Sequence, residues 1–152
     1  MIKKGEQKLF NCGYLFLQKI YYQLELNKIC REISGRHSFE YDLNDLLSKL
    51  IYTRILFPSS KLSSNKQARK LIEQPSFELH DIYRALSVLA EENDFIQAQL
   101  YKNSQRVIER RKDILYYDCT NYFFELEEAD ELRRYGKSKQ HQPLPIVGMG
   151  LF

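Results

Sequence analysis

The stretch RKDILYYDCTNYFFELEEADELRRYGKSKQHQPLPIVGMGLF, residues 111–152, decides how this chain is read, because the hydrophobic period changes inside it. Ile114–Tyr117 is a short β-prone run that ends in Asp118. Ile146–Phe152 is a second such run, entered after Pro143 and Pro145, residues that central strands exclude. A polar segment separates them, acidic at first and then rich in Lys and Arg. A strand that starts at Leu144 or Ile146 and runs to residue 152 has no covering helices after it, so these runs read as the opening of a larger α/β layer.

Upstream of residue 113 the spacing is helical. Leu9, Tyr14, Leu17, Ile20, Tyr21, Leu24 and Ile29 predict one helix from about Lys8 to Ile33, weakened at Gly13 and stopped at Gly35. Leu43, Leu46, Leu47, Leu50, Ile51 and Ile55 predict a second helix, capped by Asp42 and ended by Pro58, after which Ser59 and Ser60 open a polar turn. A third is expected to start after Ser63 or Ser64 and run toward Glu73, with Ala68, Leu71 and Ile72 inward and Lys66, Arg69 and Lys70 outward. Ile82, Tyr83, Leu86, Leu89 and Ala90 mark a fourth, and Phe95, Ile96, Leu100, Val107 and Ile108 a fifth. Glu91–Asp94 either separates these two or lies on the exposed side of one long helix. The fold class is α+β: a mainly helical N-terminal region, residues 1–112, then the first strands of an incomplete α/β domain, residues 113–152.

With 43% hydrophobic and 28% charged residues among 152, the composition is that of a globular chain, which excludes fibrous and disordered classes. No apolar run approaches the roughly 18 residues of a membrane span, and MIKKGEQKLF has too short an apolar stretch for a secretory leader. The expected location is therefore the cytoplasm, with no membrane partner. Cys12, Cys30 and Cys119 are odd in number, far apart and in no CxxC pair, so they read as idle or buried thiols instead of a disulfide framework or zinc knuckle.

Charge is graded along the chain. Residues 1–36 hold seven basic against three acidic side chains and residues 37–74 six against four, a net +6 over the first 74. Residues 75–112 balance at six each, and residues 113–152 hold four against seven. The basic front suits a polyanion such as DNA and the acidic back a cation, although either gradient also fits a solvated surface. The best candidate for DNA contact is the helix pair meeting at Pro58–Ser64, with Lys61, Lys66, Arg69 and Lys70 on its polar side, since a second helix after a short turn can enter a major groove. Such pairs also occur in purely structural bundles. The eleven tyrosines fall mostly at inward spacing and read as core, not as base-stacking platforms.

Asp118 stands where an α/β sheet places functional groups, after an apolar strand and before the small polar Cys119, Thr120 and Asn121. Alone it reads either as a cap for the following turn or as a catalytic carboxylate. The neighbouring motifs favour the second role. Tyr117–Tyr122 (YDCTNY), Gly136–Pro143 (GKSKQHQP) and Ile146–Leu151 (IVGMGL) together resemble the opening of the catalytic domain in DDE-type insertion-sequence transposases, which have a ribonuclease-H-like fold. RILFPSSKLSS at 54–64, HDIYRAL at 80–86 and LYKNS at 100–104 are similar to the helical region of the same family, so the resemblance covers nearly the whole chain.

That resemblance implies DNA transposition by metal-dependent phosphodiester cleavage and strand transfer, with Asp118 as the first catalytic aspartate and a Mg²⁺ ligand. Two Mg²⁺ ions would activate water, and later a DNA 3′-hydroxyl, for in-line attack. It implies double-stranded DNA, the transposon ends, as partner, admits a homo-oligomer, and assigns Lys137, Lys139 and His141 to backbone phosphates, although an exposed loop explains those three equally. Gln142 departs from the family's Arg and so lacks a bidentate phosphate donor there. The second aspartate and the glutamate of the triad have no counterpart in this sequence, so the expectation is an N-terminal part that does not cut DNA alone. Glu125, Glu127, Glu128, Asp130 and Glu131 read as a solvated face, and Glu131 stands where a nucleotide P-loop ending at Gly136-Lys137-Ser138 needs Gly. Two rivals follow: a non-catalytic DNA-binding or regulatory product, and an inactive gene relic.

Overall fold

The computed structural model describes residues 9–109, 118–123, 130–131, 133–136 and 144–151. The chain divides into two compact units, Met1–Glu109 and Arg110–Phe152. The described residues form six helices and a two-stranded sheet, an α+β and mostly helical arrangement. None of the described helices is long and apolar enough to cross a membrane.

In the first unit α1 spans Tyr14–Gln23 and α2 Leu26–Ser34, where the sequence spacing had predicted a single helix. The break is at Glu25, whose φ of 56° is left-handed, a conformation that costs a non-glycine residue about 1–2 kcal/mol. Three contacts hold it. Glu25 Oε1 accepts from Lys28 Nζ at 2.5 Å, Glu25 Oε2 pairs with Arg106 Nη1 at 3.4 Å, and the buried Asn103 Nδ2 donates to Leu24 O at 3.0 Å. The last bond satisfies a carbonyl that the end of α1 leaves without a helical partner. Gly13 only precedes α1, and Leu9 is 89% exposed, so neither belongs to the helix predicted over Lys8–Ile33.

Helix α3, Leu43–Leu56, forms as its spacing predicts, with Asp42 Oδ1 accepting from Asp45 N at 3.0 Å. Leu43, Leu46 and Tyr52 enter the core, where Tyr52 lies against Tyr14 and Tyr21 at centroid distances of 5.4 and 5.9 Å. Tyr21 Oη donates to Asn44 Oδ1 at 3.0 Å and burial pushes its phenol far up, so it stays neutral. Helices α5, Leu79–Glu91, and α6, Asn93–Val107, are separate, as one of the two readings of Glu91–Asp94 allowed. Glu92 at their junction takes a forked pair from Arg36 (Nε 3.0 Å, Nη2 2.7 Å) and contacts His37 Nε2 at 2.8 Å. Those bonds, from Arg36 first, hold its carboxyl below the usual range. The tyrosine expectation needs correction: Tyr14, Tyr21 and Tyr52 are buried, but Tyr22, Tyr83, Tyr101, Tyr122 and Tyr135 are exposed, because spacing alone did not reveal which face each helix or strand turns inward.

In the second unit β1, Asp118–Phe123, pairs antiparallel with β2, Ile146–Leu151, in the register Asp118↔Leu151 to Phe123↔Ile146. Arg134 extends the edge through a bridge to Ile146. The run Ile114–Tyr117 lies outside the described residues.

Candidate nucleic-acid interface

Helix α4 spans Lys61–Ala68, earlier than its predicted start at Ser63 or Ser64 and well short of Glu73. The cap is Ser60, whose side chain accepts from Ser63 N at 3.3 Å, which places Ser63 and Ser64 inside the helix. The turn from α3 is Phe57–Ser60. Pro58 denies α3 a further turn, Arg54 Nη1 donates to Ser59 O at 2.9 Å, and Ser59 Oγ donates to Phe57 O at 2.9 Å. Two helices joined through a four-residue turn have the connection length of a helix-turn-helix.

Ser64, Asn65 and Ala68 face inward, so the 100° step of the helix turns Lys66 outward, and Lys66, Arg69 and Lys70 are all exposed. Lys61, at the start of α4, is partly buried and lines an apolar hollow against α3. Leu71 is buried as expected, but Ile72 is 51% exposed, because the chain leaves the helix after Ala68 and Leu71 pairs with Asn11 in a short parallel bridge.

That bridge shapes the surface. Asn11 N donates to Lys70 O at 2.7 Å, bringing exposed Leu9 and Phe10 beside Arg69, Lys70, Ile72 and Gln74 around a hollow of about 480 Å³. Cations interleaved with exposed apolar and aromatic groups were not legible from sequence, since residues 9–10 are some sixty positions from Arg69. Arg69 Nη2 also pairs with Glu78 Oε2 at 2.9 Å, an exposed contact of about 0–1 kcal/mol that a phosphate can replace.

A buried ion pair fixes the segment beyond Lys70. Lys49 on α3 is 5% exposed; its Nζ lies 2.6 Å from Asp45 Oδ1 and 3.7 Å from Glu73 Oε2. Asp45 Oδ2 accepts from Ser76 N at 2.8 Å and Ser76 Oγ at 2.9 Å. Partial burial pushes the Asp45 carboxyl up, but the bonds from Lys49 and Ser76 outweigh it and leave it below its ordinary value. Arg69 and Lys70 therefore sit on a turn held at one side by Asn11 and at the other by Asp45.

Asp118 is the first residue of β1, and its backbone continues as strand through Phe123. It does not end a strand, as the reading of Ile114–Tyr117 as a run closing at Asp118 had supposed. Lys137, Lys139 and His141 lie outside the described residues. Among the described residues no three His, Cys, Asp or Glu side chains group as a metal site. No protein-family model, curated protein or solved structure matches the chain.

Proposed function

We propose that this chain is the N-terminal part of a DDE-type transposase, in which the helical unit binds duplex DNA at transposon ends and assembles the complex, while the second unit begins a ribonuclease-H-like catalytic domain. The observation that carries the reading is the surface at the end of α4. Lys66, Arg69 and Lys70 emerge together from a short helix pair, beside Phe10, on a turn that two independent contacts hold in place. Phosphate neutralisation by such a cluster supplies affinity and register. Pairing of the motif strands Asp118–Phe123 and Ile146–Leu151 as neighbours supports the second half of the proposal. Asp118 contributes one carboxylate of the triad, and cleavage by a whole transposase would also need the second aspartate and the glutamate. Such a protein works in the cytoplasm, on chromosomal DNA.

The net +6 of residues 1–74 also favours a second reading, a DNA-binding product that occupies transposon ends without cutting. A single pair of assays tests both. The purified chain should retard linear duplex DNA on native gels, and supercoiled DNA incubated with it and Mg²⁺ or Mn²⁺ should remain intact. Absence of retardation removes the DNA-binding reading in both forms, and nicking that disappears in Asp118→Ala protein overturns the inactivity of this chain.

A further inference from the structure

Helix α3 packs against α1, α2, α4 and α5 and is apolar on more than one face, with Leu47, Leu50 and Ile51 partly buried against the core. Leu43, Leu46 and Tyr52 fill the core. Leu47, Leu50, Ile51 and Ile55, at i, i+3, i+4 and i+8, line a groove of about 280 Å³ that is closed on its other sides by α4 and by Leu86 and Leu89 of α5. Ile55 at its lip is 57% exposed. Among the described residues that line the groove, Arg54 and Lys61 are charged and none is a carboxylate.

We propose that this groove receives an acidic amphipathic helix from a partner protein, with aliphatic side chains on its inner face and carboxylates on the flank that meets Arg54 and Lys61. Charge complementarity selects the occupant. The apolar floor gives nucleic-acid phosphates no solvation, and among the described lining residues none is aromatic, so bases have nothing there to stack on. The volume falls just below the roughly 300–1,000 Å³ of small-molecule pockets and suits a row of aliphatic anchors, the contact that a helix laid in a groove makes. The inference does not depend on transposition, because Lys66, Arg69 and Lys70 are not among the described residues that line the groove.

The probe is a fluorescein-labelled helical peptide of about four turns with Leu at i, i+3, i+4 and i+7 and Glu on both flanks. Its controls are a scrambled peptide of the same composition and a version with Lys for Glu. Anisotropy with the full chain should show the acidic peptide binding at least about tenfold more tightly than either control, equivalent to about 1.4 kcal/mol. Ile55→Glu, at an exposed position, and Lys61→Glu, at a partly buried one, with folding of both checked by circular dichroism, should each weaken it by about tenfold. Lys61→Glu should also shift the preference toward the Lys peptide. No binding by the acidic peptide, equal binding of the three peptides, or indifference to both substitutions overturns the proposal. It is equally overturned if the two substitutions weaken duplex DNA binding and leave the peptide untouched, since the groove would then belong to the nucleic-acid surface.

Discussion

Replacing Asp45 by Ala strands an ammonium group in the protein interior. Lys49 would keep only Glu73, 3.7 Å away and itself half-exposed, while Ser76 N and Oγ would lose their common acceptor. Removing one partner of a buried pair costs about 3–5 kcal/mol, and the surviving Glu73 contact places this case near 3 kcal/mol. Against a domain stability of about 5–15 kcal/mol, that is a large share. It corresponds to a fall in melting temperature of roughly 12 °C or more for a unit of about a hundred residues, read by far-ultraviolet circular dichroism. The double replacement Asp45→Leu with Lys49→Met should recover much of the loss, because it leaves no charge to solvate. Proton linkage gives a second readout. The folded Asp45 carboxyl lies below its unfolded value of about 3.9, so its contribution is complete above that pH and disappears as pH falls through the folded value. The gap between wild type and Asp45→Ala should therefore be widest near neutrality and narrow in acid. A loss under about 1 kcal/mol at pH 7, the level of an exposed pair, would refute the burial argument for Lys49.

Two further outcomes follow from contacts that position the same unit. Asn103→Leu removes the donor to Leu24 O at the end of α1 and should cost about 1–3 kcal/mol in urea unfolding, since that carbonyl then has no partner beside the left-handed Glu25. Glu78→Gln releases Arg69 from its pair and should tighten duplex DNA binding by about two- to fourfold, within the roughly 1 kcal/mol that exposed pairs carry; weaker binding would mean that Arg69 is needed where Glu78 holds it.

Helix α3 was legible because its local signals agree: Asp42 caps it, the leucines keep one period and Pro58 stops it. Where one local signal competed with a distant contact, the sequence misled. Nothing near Glu25 announces a left-handed residue, and the groups that hold it include Arg106 and Asn103, some eighty positions away. The start of α4 was misplaced because four serines, Ser59, Ser60, Ser63 and Ser64, offer themselves as caps and only the fold selects Ser60. The outward placement of Lys66, Arg69 and Lys70 was legible from charge and spacing alone. The partial burial of Lys61 against α3 was not legible, because a cation at the start of a helix has no periodicity of its own. Leu9 and Phe10 were invisible to any local reading, since only the Asn11 bridge brings them to Arg69.

The salt dependence of duplex binding tests the role of the α4 surface most directly. Each phosphate contact contributes about −0.9 to the slope of log Kobs against log salt concentration, so Lys66, Arg69 and Lys70 together should contribute about −2.7. Anisotropy titrations of a labelled duplex across a range of KCl concentrations should show wild type steeper by about that amount than the triple variant Lys66→Ala, Arg69→Ala, Lys70→Ala, which should also bind more weakly at low salt. Equal slopes and equal affinities for the two proteins would contradict the assignment of this surface to DNA.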